Sequence, residues 1–296
     1  MVLPDKVVIT EVGPRDGLQM ERRMVPTATK VALIADLVGA GVPAVQVGAF
    51  VHPDKMPQMA DVEAVIAALP DVDRVAYSAL ALNRHGVARA CRTAIPWVEV
   101  SFSVSDAHSR RNTGMSAAAA FAEAAAMVSQ VIAAGRRVRG SIQCAFGHGA
   151  GDPPPVAQVC RAALALAEGG VDLLVLADTA GLATPVSVRR LLEAISSRVG
   201  DLPVGLHLHD THGLGLVNVM VALEMGIAHF DAALGGLGGC PFVADAAGNI
   251  ATEDTLHLMH SLGVATGIDA ARVAIWSRRL SALFDHPLPG RRYRLI

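Results

Sequence analysis

Two rhythms of apolar positions alternate along the chain. Short runs of β-branched and aliphatic residues, such as Val7-Val8-Ile9, give way to longer stretches whose apolar residues recur at helical spacing. Runs of the first kind predict eight strands, over 6–12, 44–47, 74–80, 97–104, 138–145, 173–177, 204–209 and 229–234. Between them the second kind predicts helices over 27–40, 61–69, 83–91, 116–134, 156–168, 185–198 and 215–225, with two more, 252–262 and 270–284, at the end. Asn83 and Ser116 stand as N-caps, and Pro185 occupies a first helical turn. Glycine, proline and polar clusters mark the loops: Gly13-Pro14-Arg15-Asp16-Gly17, the polar segment 105–112, and Gly235-Gly236-Leu237-Gly238-Gly239-Cys240-Pro241, mobile by its composition.

Eight strand–helix units with short connections predict a (β/α)₈ TIM barrel. The barrel is expected over about 6–262 of a single catalytic domain, 1–296, with a C-terminal helical addition from about 263 and a glycine-rich lid loop. A doubly wound open sheet is the alternative. It calls for a phosphate-binding G-x-G-x-x-G after the first strand, where this chain reads Gly-Pro-Arg-Asp-Gly.

Composition narrows the function classes. Just over half the residues are apolar and only 4% aromatic, which suits strands buried on both faces. A net charge of -2 makes no case for nucleic acid. No apolar run approaches the roughly 18 residues of a membrane span. The first residues lack a signal-peptide pattern, and the four cysteines form no C-x-x-C pair, so free thiols and a cytoplasmic protein are expected. The basic run 291–294 reads as a solvated tail.

The densest group of chemistry-bearing residues is Leu206-His207-Leu208-His209-Asp210-Thr211-His212-Gly213, at the end of the seventh strand. His207 and His209 share one strand face, roughly 7 Å apart by twice the usual rise. Imidazoles so placed can converge on a divalent ion or pack against backbone carbonyls. The other strand ends favour the ion. Active sites of such barrels form at the C-terminal ends of the strands. There the chain puts Arg15 and Asp16, Gln46, Ser103 and His108, Gln143, Asp178, and finally Cys240 and Asn249. A carboxylate, two imidazoles and an amide oxygen suit a cation that takes oxygen and nitrogen donors and leaves positions for substrate.

These residues carry a family resemblance. Glu11-Val-Gly-Pro-Arg-Asp-Gly-Leu-Gln19, Pro57-Gln-Met-Ala-Asp61, His207-Leu-His-Asp-Thr211, Gly236-Leu-Gly-Gly-Cys-Pro241 and Ala247-Gly-Asn-Ile-Ala-Thr-Glu-Asp254 resemble the 3-hydroxy-3-methylglutaryl-CoA lyase family of metal-dependent lyase and Claisen-type barrels. The resemblance runs from Lys6 to about Gly267. It implies Asp16, His207, His209 and Asn249 as ligands of Mg²⁺ or Mn²⁺, Arg15 as partner of the enolate oxygen, and Cys240 as proton donor on a closing lid. Asp178 and His207 join the catalytic candidates. Gln19, Gln46 and Thr179 join Arg15 as substrate-binding candidates. An acyl-CoA substrate, a homodimer or higher homo-oligomer, and a place in leucine catabolism go with the same resemblance.

The chain also departs from that family. A glutamate at the end of strand two is Gln46 here, and the loop after it reads Ala49-Phe-Val-His-Pro-Asp54. Gln19-Met20-Glu21 and Gly147-His148-Gly149-Ala150 differ too. The chemistry-bearing positions match while loop positions vary. This points to a related acyl group, such as citramalyl-CoA or a longer branched 3-hydroxyacyl-CoA. A synthase joining acetyl-CoA to a 2-oxo acid and a non-catalytic acyl-CoA-binding relative are the competing classes. Arg110 and Arg111 fit either a solvated loop or a CoA-phosphate contact.

Overall fold

A computed structural model describes residues 3–149, 156–238 and 248–296. The strands are β1 (Val8–Glu11), β2 (Ala44–Ala49), β3 (Ala76–Ala81), β4 (Trp97–Ser103), β5 (Arg137–Gln143), β6 (Leu173–Ala177), β7 (Val204–His207) and β8 (His229–Ala232). Each pairs in parallel with the next, and β8 pairs with β1, closing the barrel. The helices are α1 (Thr27–Gly39), α2 (Val62–Ala67), α3 (Arg84–Cys91), α4 (Asp106–Thr113), α5 (Ala117–Ala133), α6 (Val156–Glu168), α7 (Pro185–Val199), α8 (Gly215–Glu224), α9 (Thr252–Ser261) and α10 (Ala270–Phe284). This is the expected (β/α)₈ barrel. Among the described residues no single helix is long and apolar enough to cross a membrane.

The helices dock through the stripes that predicted them. On α7, Val188, Leu191, Leu192 and Ile195 are buried at helical spacing. Each such side chain contributes about 1.5–3 kcal/mol by leaving water. Asn83, Ser116 and Thr184 cap α3, α5 and α7 through side-chain oxygens that accept backbone N–H groups.

The lumen is unusual in holding charge. Arg139 of β5 is buried with its Nε 2.7 Å from Glu99 Oε2 of β4. Its Nη2 pairs with Asp231 of β8, and its Nη1 donates to Thr10 Oγ1 of β1 at 3.1 Å. A second buried acid, Glu11, closes the seam. Its Oε1 accepts the backbone N–H groups of Gly13 (2.7 Å) and Leu234 (2.9 Å), and its Oε2 accepts from Thr252 Oγ1 (2.7 Å). Burial pushes the Glu11 acid up to about 8, against the pull of those hydrogen bonds.

Three expectations need correction. Segment 105–112, read as a loop, is mostly α4. It has no apolar stripe, but Ser105 accepts from the His108 N–H, Gly114 terminates it at φ 79°, and Asp106 pairs with Arg110 one turn on. The basic run at 291–294 is not a solvated tail. Arg291 and Arg292 donate backbone N–H groups to Asp254, and Tyr293 is buried with its hydroxyl accepting from the Leu288 N–H. The seventh strand stops at His207, and His209 instead forms an antiparallel bridge to Asn249. The chain must swing there to meet the segment returning after β8. Of the predicted lid, Leu234–Gly236 is a 3₁₀ turn with Gly235 and Gly236 at φ 61° and 69°. Cys240 and the lid tip lie outside the described residues.

Arg139→Met leaves Glu99 and Asp231 buried without their shared cation and is expected to cost about 3–5 kcal/mol of stability. Urea unfolding measures it; a loss below about 1 kcal/mol would show that the lumen tolerates both carboxylates unaided.

Candidate active site

The C-terminal strand ends surround a cavity of about 270 Å³. At its floor Asp16, His207 and His209 bring ligand atoms within 4.8 Å of one another. Local backbone explains each. After β1 the Gly13–Gly17 segment coils as a π-helical turn, with the N–H groups of Arg15, Asp16 and Gly17 all converging on the Val12 carbonyl. That turn points Arg15 and Asp16 across the barrel mouth. His207 and His209 alternate with buried Leu206 and Leu208, and their Nε2 atoms stand 3.2 Å apart.

Asp231 orients the first imidazole: its Oδ2 is 3.1 Å from His207 Nδ1. A proton held on Nδ1 by that carboxylate leaves the Nε2 lone pair facing the cavity. Burial alone would lower the His207 pKa, but the Asp231 hydrogen bond and the Asp16 and Asp231 charges outweigh it and raise it. His209 is pushed down to about 3, by burial first and then by its neighbour's charge. It is therefore a neutral ligand at ordinary pH. Burial would raise the Asp16 carboxyl, yet Arg15 and the two imidazoles hold it well below the usual range.

Asn249 completes the donor set. Its Nδ2 donates to Asp16 Oδ2 (2.8 Å) and to the Leu237 carbonyl (3.1 Å). Its Oδ1 is buried and without a partner among the described residues. A buried amide oxygen left open beside a carboxylate and two imidazoles fits a hard divalent cation. The four residues read from the sequence as ligands thus stand together.

Arg15 is buried beside them. Its Nη1 pairs with Asp16 and its Nε donates to Gln46 Oε1. Gln19 Nε2 donates to Asp16 Oδ1 at 3.0 Å. Arg15, Gln19 and Thr179 line the cavity, and Thr179 Oγ1 accepts the Cys144 N–H at 2.9 Å. Asp178 lies behind the cavity wall, close enough to His207 for their charges to interact. Its Oδ1 accepts from the Leu182 and Ala183 N–H groups, shaping the turn below the rim, and only its neighbours Ala177 and Thr179 line the cavity. Burial pushes its acid up to about 6. Gln143 and His108 line the cavity as read, whereas the Ser103 hydroxyl turns back to the Ser105 backbone. Arg110 and Arg111 sit on α4, Arg110 paired with Asp106 and Arg111 with its Nη2 2.8 Å from His148 Nε2.

Sequence reading missed Glu99, Arg139 and Asp231. Their signal was present: each is a charged residue flanked by apolar neighbours inside a buried strand, so each must face the lumen.

Asp231→Asn is expected to weaken divalent cation binding roughly 10–100-fold by freeing His207, and Asp16→Ala to weaken it more. Calorimetric Mn²⁺ titration reads both; unchanged affinity in Asp231→Asn would mean that His207 needs no anchor.

Comparison with known proteins gives a consistent picture. The family model described as HMGL-like matches residues 6–278. Hydroxymethylglutaryl-CoA lyase of Pseudomonas mevalonii is 40% identical over 93% of this chain and 92% of its own. (R)-citramalyl-CoA lyase of Chloroflexus aurantiacus is 37% identical, covering 97% and 93%. A 3-hydroxy-3-isohexenylglutaryl-CoA/hydroxymethylglutaryl-CoA lyase of Pseudomonas aeruginosa is 39% identical, covering 96% and 94%. Among solved structures, an HMG-CoA lyase of Acinetobacter baumannii in complex with coenzyme A and 3-methylmalate superposes with a TM-score of 0.92 at 35% identity, over 98% of this chain and 95% of that one.

Proposed function

The chain belongs to the HMGL-like family, and from that membership and the cavity we propose an oxo-acid lyase that cleaves 3-hydroxy-3-methylglutaryl-CoA or a close relative. The products are acetyl-CoA and a keto acid. The observation that carries the reading is the gathering of Asp16, His207, His209 and the open Asn249 oxygen beside a buried arginine.

Asp16, His207, His209 and Asn249 would hold Mg²⁺ or Mn²⁺, which when bound makes a tertiary hydroxyl more acidic and polarises neighbouring oxygens. The remaining work falls to the chain. Breaking the C–C bond pushes charge onto the thioester oxygen of the departing acetyl-CoA. Arg15 is permanently charged, already desolvated, and held at Nε and Nη1, which leaves Nη2 for that oxygen. Preorganised donors of this kind cost no rearrangement during reaction. The carbanion carbon then needs a proton in a site closed to water. Cys240, outside the described residues, is the acid proposed from the sequence, on a segment whose root the structure anchors at Leu234 and Gly235.

A second reading concerns the acyl group. Met20, Val51, Met56, Leu80 and Leu82 give the cavity an apolar share of its wall. Such a wall favours a hydrocarbon branch on C3, as in the isohexenylglutaryl substrate for which one relative is named. Citramalyl-CoA, which keeps a C3 methyl but is shorter, is the alternative, and a lyase named for it is 37% identical to this chain.

A panel of 3-hydroxyacyl-CoAs with Mg²⁺ or Mn²⁺, scored for acetyl-CoA release, tests the function. Cleavage of at least one tertiary-alcohol substrate is expected, and release from none would overturn it. Arg15→Lys keeps the charge but loses the fork of donors, and kcat is expected to fall roughly 10²–10³-fold. A variant within a few-fold of wild type would make Arg15 structural.

A further inference from the structure

Gln46 sits between two charged groups. Its Oε1 accepts from Arg15 Nε, and its Nε2 donates to Glu99 Oε2 at 2.7 Å. Glu99 is buried on β4, two strands from Gln46, with Arg139 Nε on the same Oε2 at 2.7 Å. A register shift in the β2–β3 pairing between Gln46 and Gly48 puts the strand irregularity beside this side chain.

An amide has a donor end and an acceptor end, and its surroundings decide which way it points. Turned round, Gln46 would set N–H against the Arg15 N–H and oxygen against a carboxylate. The Arg15 N–H and the Glu99 carboxylate together make the observed orientation compulsory, and Glu99 holds the donor end. A glutamate at 46 would bring two carboxylates within hydrogen-bond distance, where both cannot stay ionised.

We infer that Glu99 is a positioning residue of the active site: through the Gln46 amide it fixes Arg15 Nε, and so aims the guanidinium into the cavity. The inference rests on the lyase reading for its effect on turnover, but not for its effect on Arg15. Arg139, shared with Asp231, anchors Glu99 in turn.

Exchanging the two side chains keeps one amide and one carboxylate between Arg15 and Arg139, with the amide at 99 turned to meet both neighbours. With glutamate at 46 and glutamine at 99, the carboxylate accepts from Arg15 and from the new amide, whose oxygen faces Arg139. The experiment therefore uses wild type, Glu99→Gln, Gln46→Glu and the double exchange. An amide at 99 keeps an acceptor oxygen but loses the negative charge that Arg139 and the Gln46 amide both face, so Glu99→Gln is expected to lower kcat roughly ten- to a hundred-fold, the scale of one hydrogen bond to a charged group, with KM changed less than about threefold. Gln46→Glu is expected to lose a similar factor. The double exchange is expected to return within about fivefold of wild type. A folded double variant as slow as the slower single, or Glu99→Gln with wild-type kcat, overturns the inference.

A crystal structure of Glu99→Gln reads the same point without turnover. Arg15 Nε released from Gln46 supports the inference and Arg15 unmoved overturns it. If no acyl-CoA in the panel yields acetyl-CoA, the lyase reading fails while this structural result still decides the role of Glu99. If Gln46→Glu alone does not fold, recovery of a normal thermal midpoint by the double exchange supports the pairing, and continued misfolding overturns it.

Discussion

One buried guanidinium holds the active site in register. Arg139 lies in the barrel lumen between the Glu99 and Asp231 carboxylates and reaches Thr10 on β1. Burying three charges is expensive, and it is tolerated because each faces an opposite charge at hydrogen-bond distance. From this centre two chains of contacts rise to the cavity. One runs through Asp231 to His207 and sets which imidazole nitrogen faces inward. The other runs through Glu99 and Gln46 to Arg15. The candidate cation ligands and the proposed oxyanion partner therefore share one foundation, whose Glu99 and Asp231 also line the cavity. Polar networks of this kind lose more when one member is removed than any single contact suggests.

The barrel was legible because its signals are local and repeated. Eight buried strands with helical stripes between them, capped at Asn83 and Ser116, leave few other ways to hide the apolar faces. The donor set was legible for a similar reason: Asp16, His207, His209 and Asn249 sit where strand ends must converge. What stayed hidden depends on pairing across the barrel. Glu99, Arg139 and Asp231 each looked like an isolated charge within a strand, and only closure of the sheet makes them partners. Gln46 was visible as a departure from the family, but its relation to Glu99 was not. Segment 105–112 was misread because α4 owes its helix to caps and an ion pair and buries little apolar surface. Asp178 was visible as a strand-end acid, but that its Oδ1 is taken by the Leu182 and Ala183 amides depends on the turn that follows β6.

A division of labour separates the rigid and the adaptable parts of the rim. Glu11 and Glu253 bind the Leu234 and Gly235 amides, bolting the root of the glycine-rich segment to β1 and α9. Gly235, Gly236 and Gly238 then take left-handed backbone values that side chains resist. At Gly235 an added Cβ would stand 2.4 Å from Leu288, so this turn admits no larger residue. Of the apolar lining, Met20, Val51 and Met56 lie outside the strands while Leu80 belongs to β3, so the loop positions are the ones free to vary without disturbing either the bolted root or the charged lumen. Differences in acyl preference among related lyases can accumulate there.

The cation ligands also straddle the seam of the barrel. Asp16 follows the first strand and Asn249 lies beyond the last, 233 positions away along the chain, yet their side chains touch. Contacts so distant in sequence form late and cost much entropy to bring together. An ion seated across them binds the closed cylinder and not its opened forms. By mass action, free ion at a hundred times its dissociation constant adds about 2.7 kcal/mol to the closed state. The amount of folded protein is then tied to the supply of the ion. If these residues hold such an ion, a shortage of it would lower the share of folded protein as well as any reaction the ion supports.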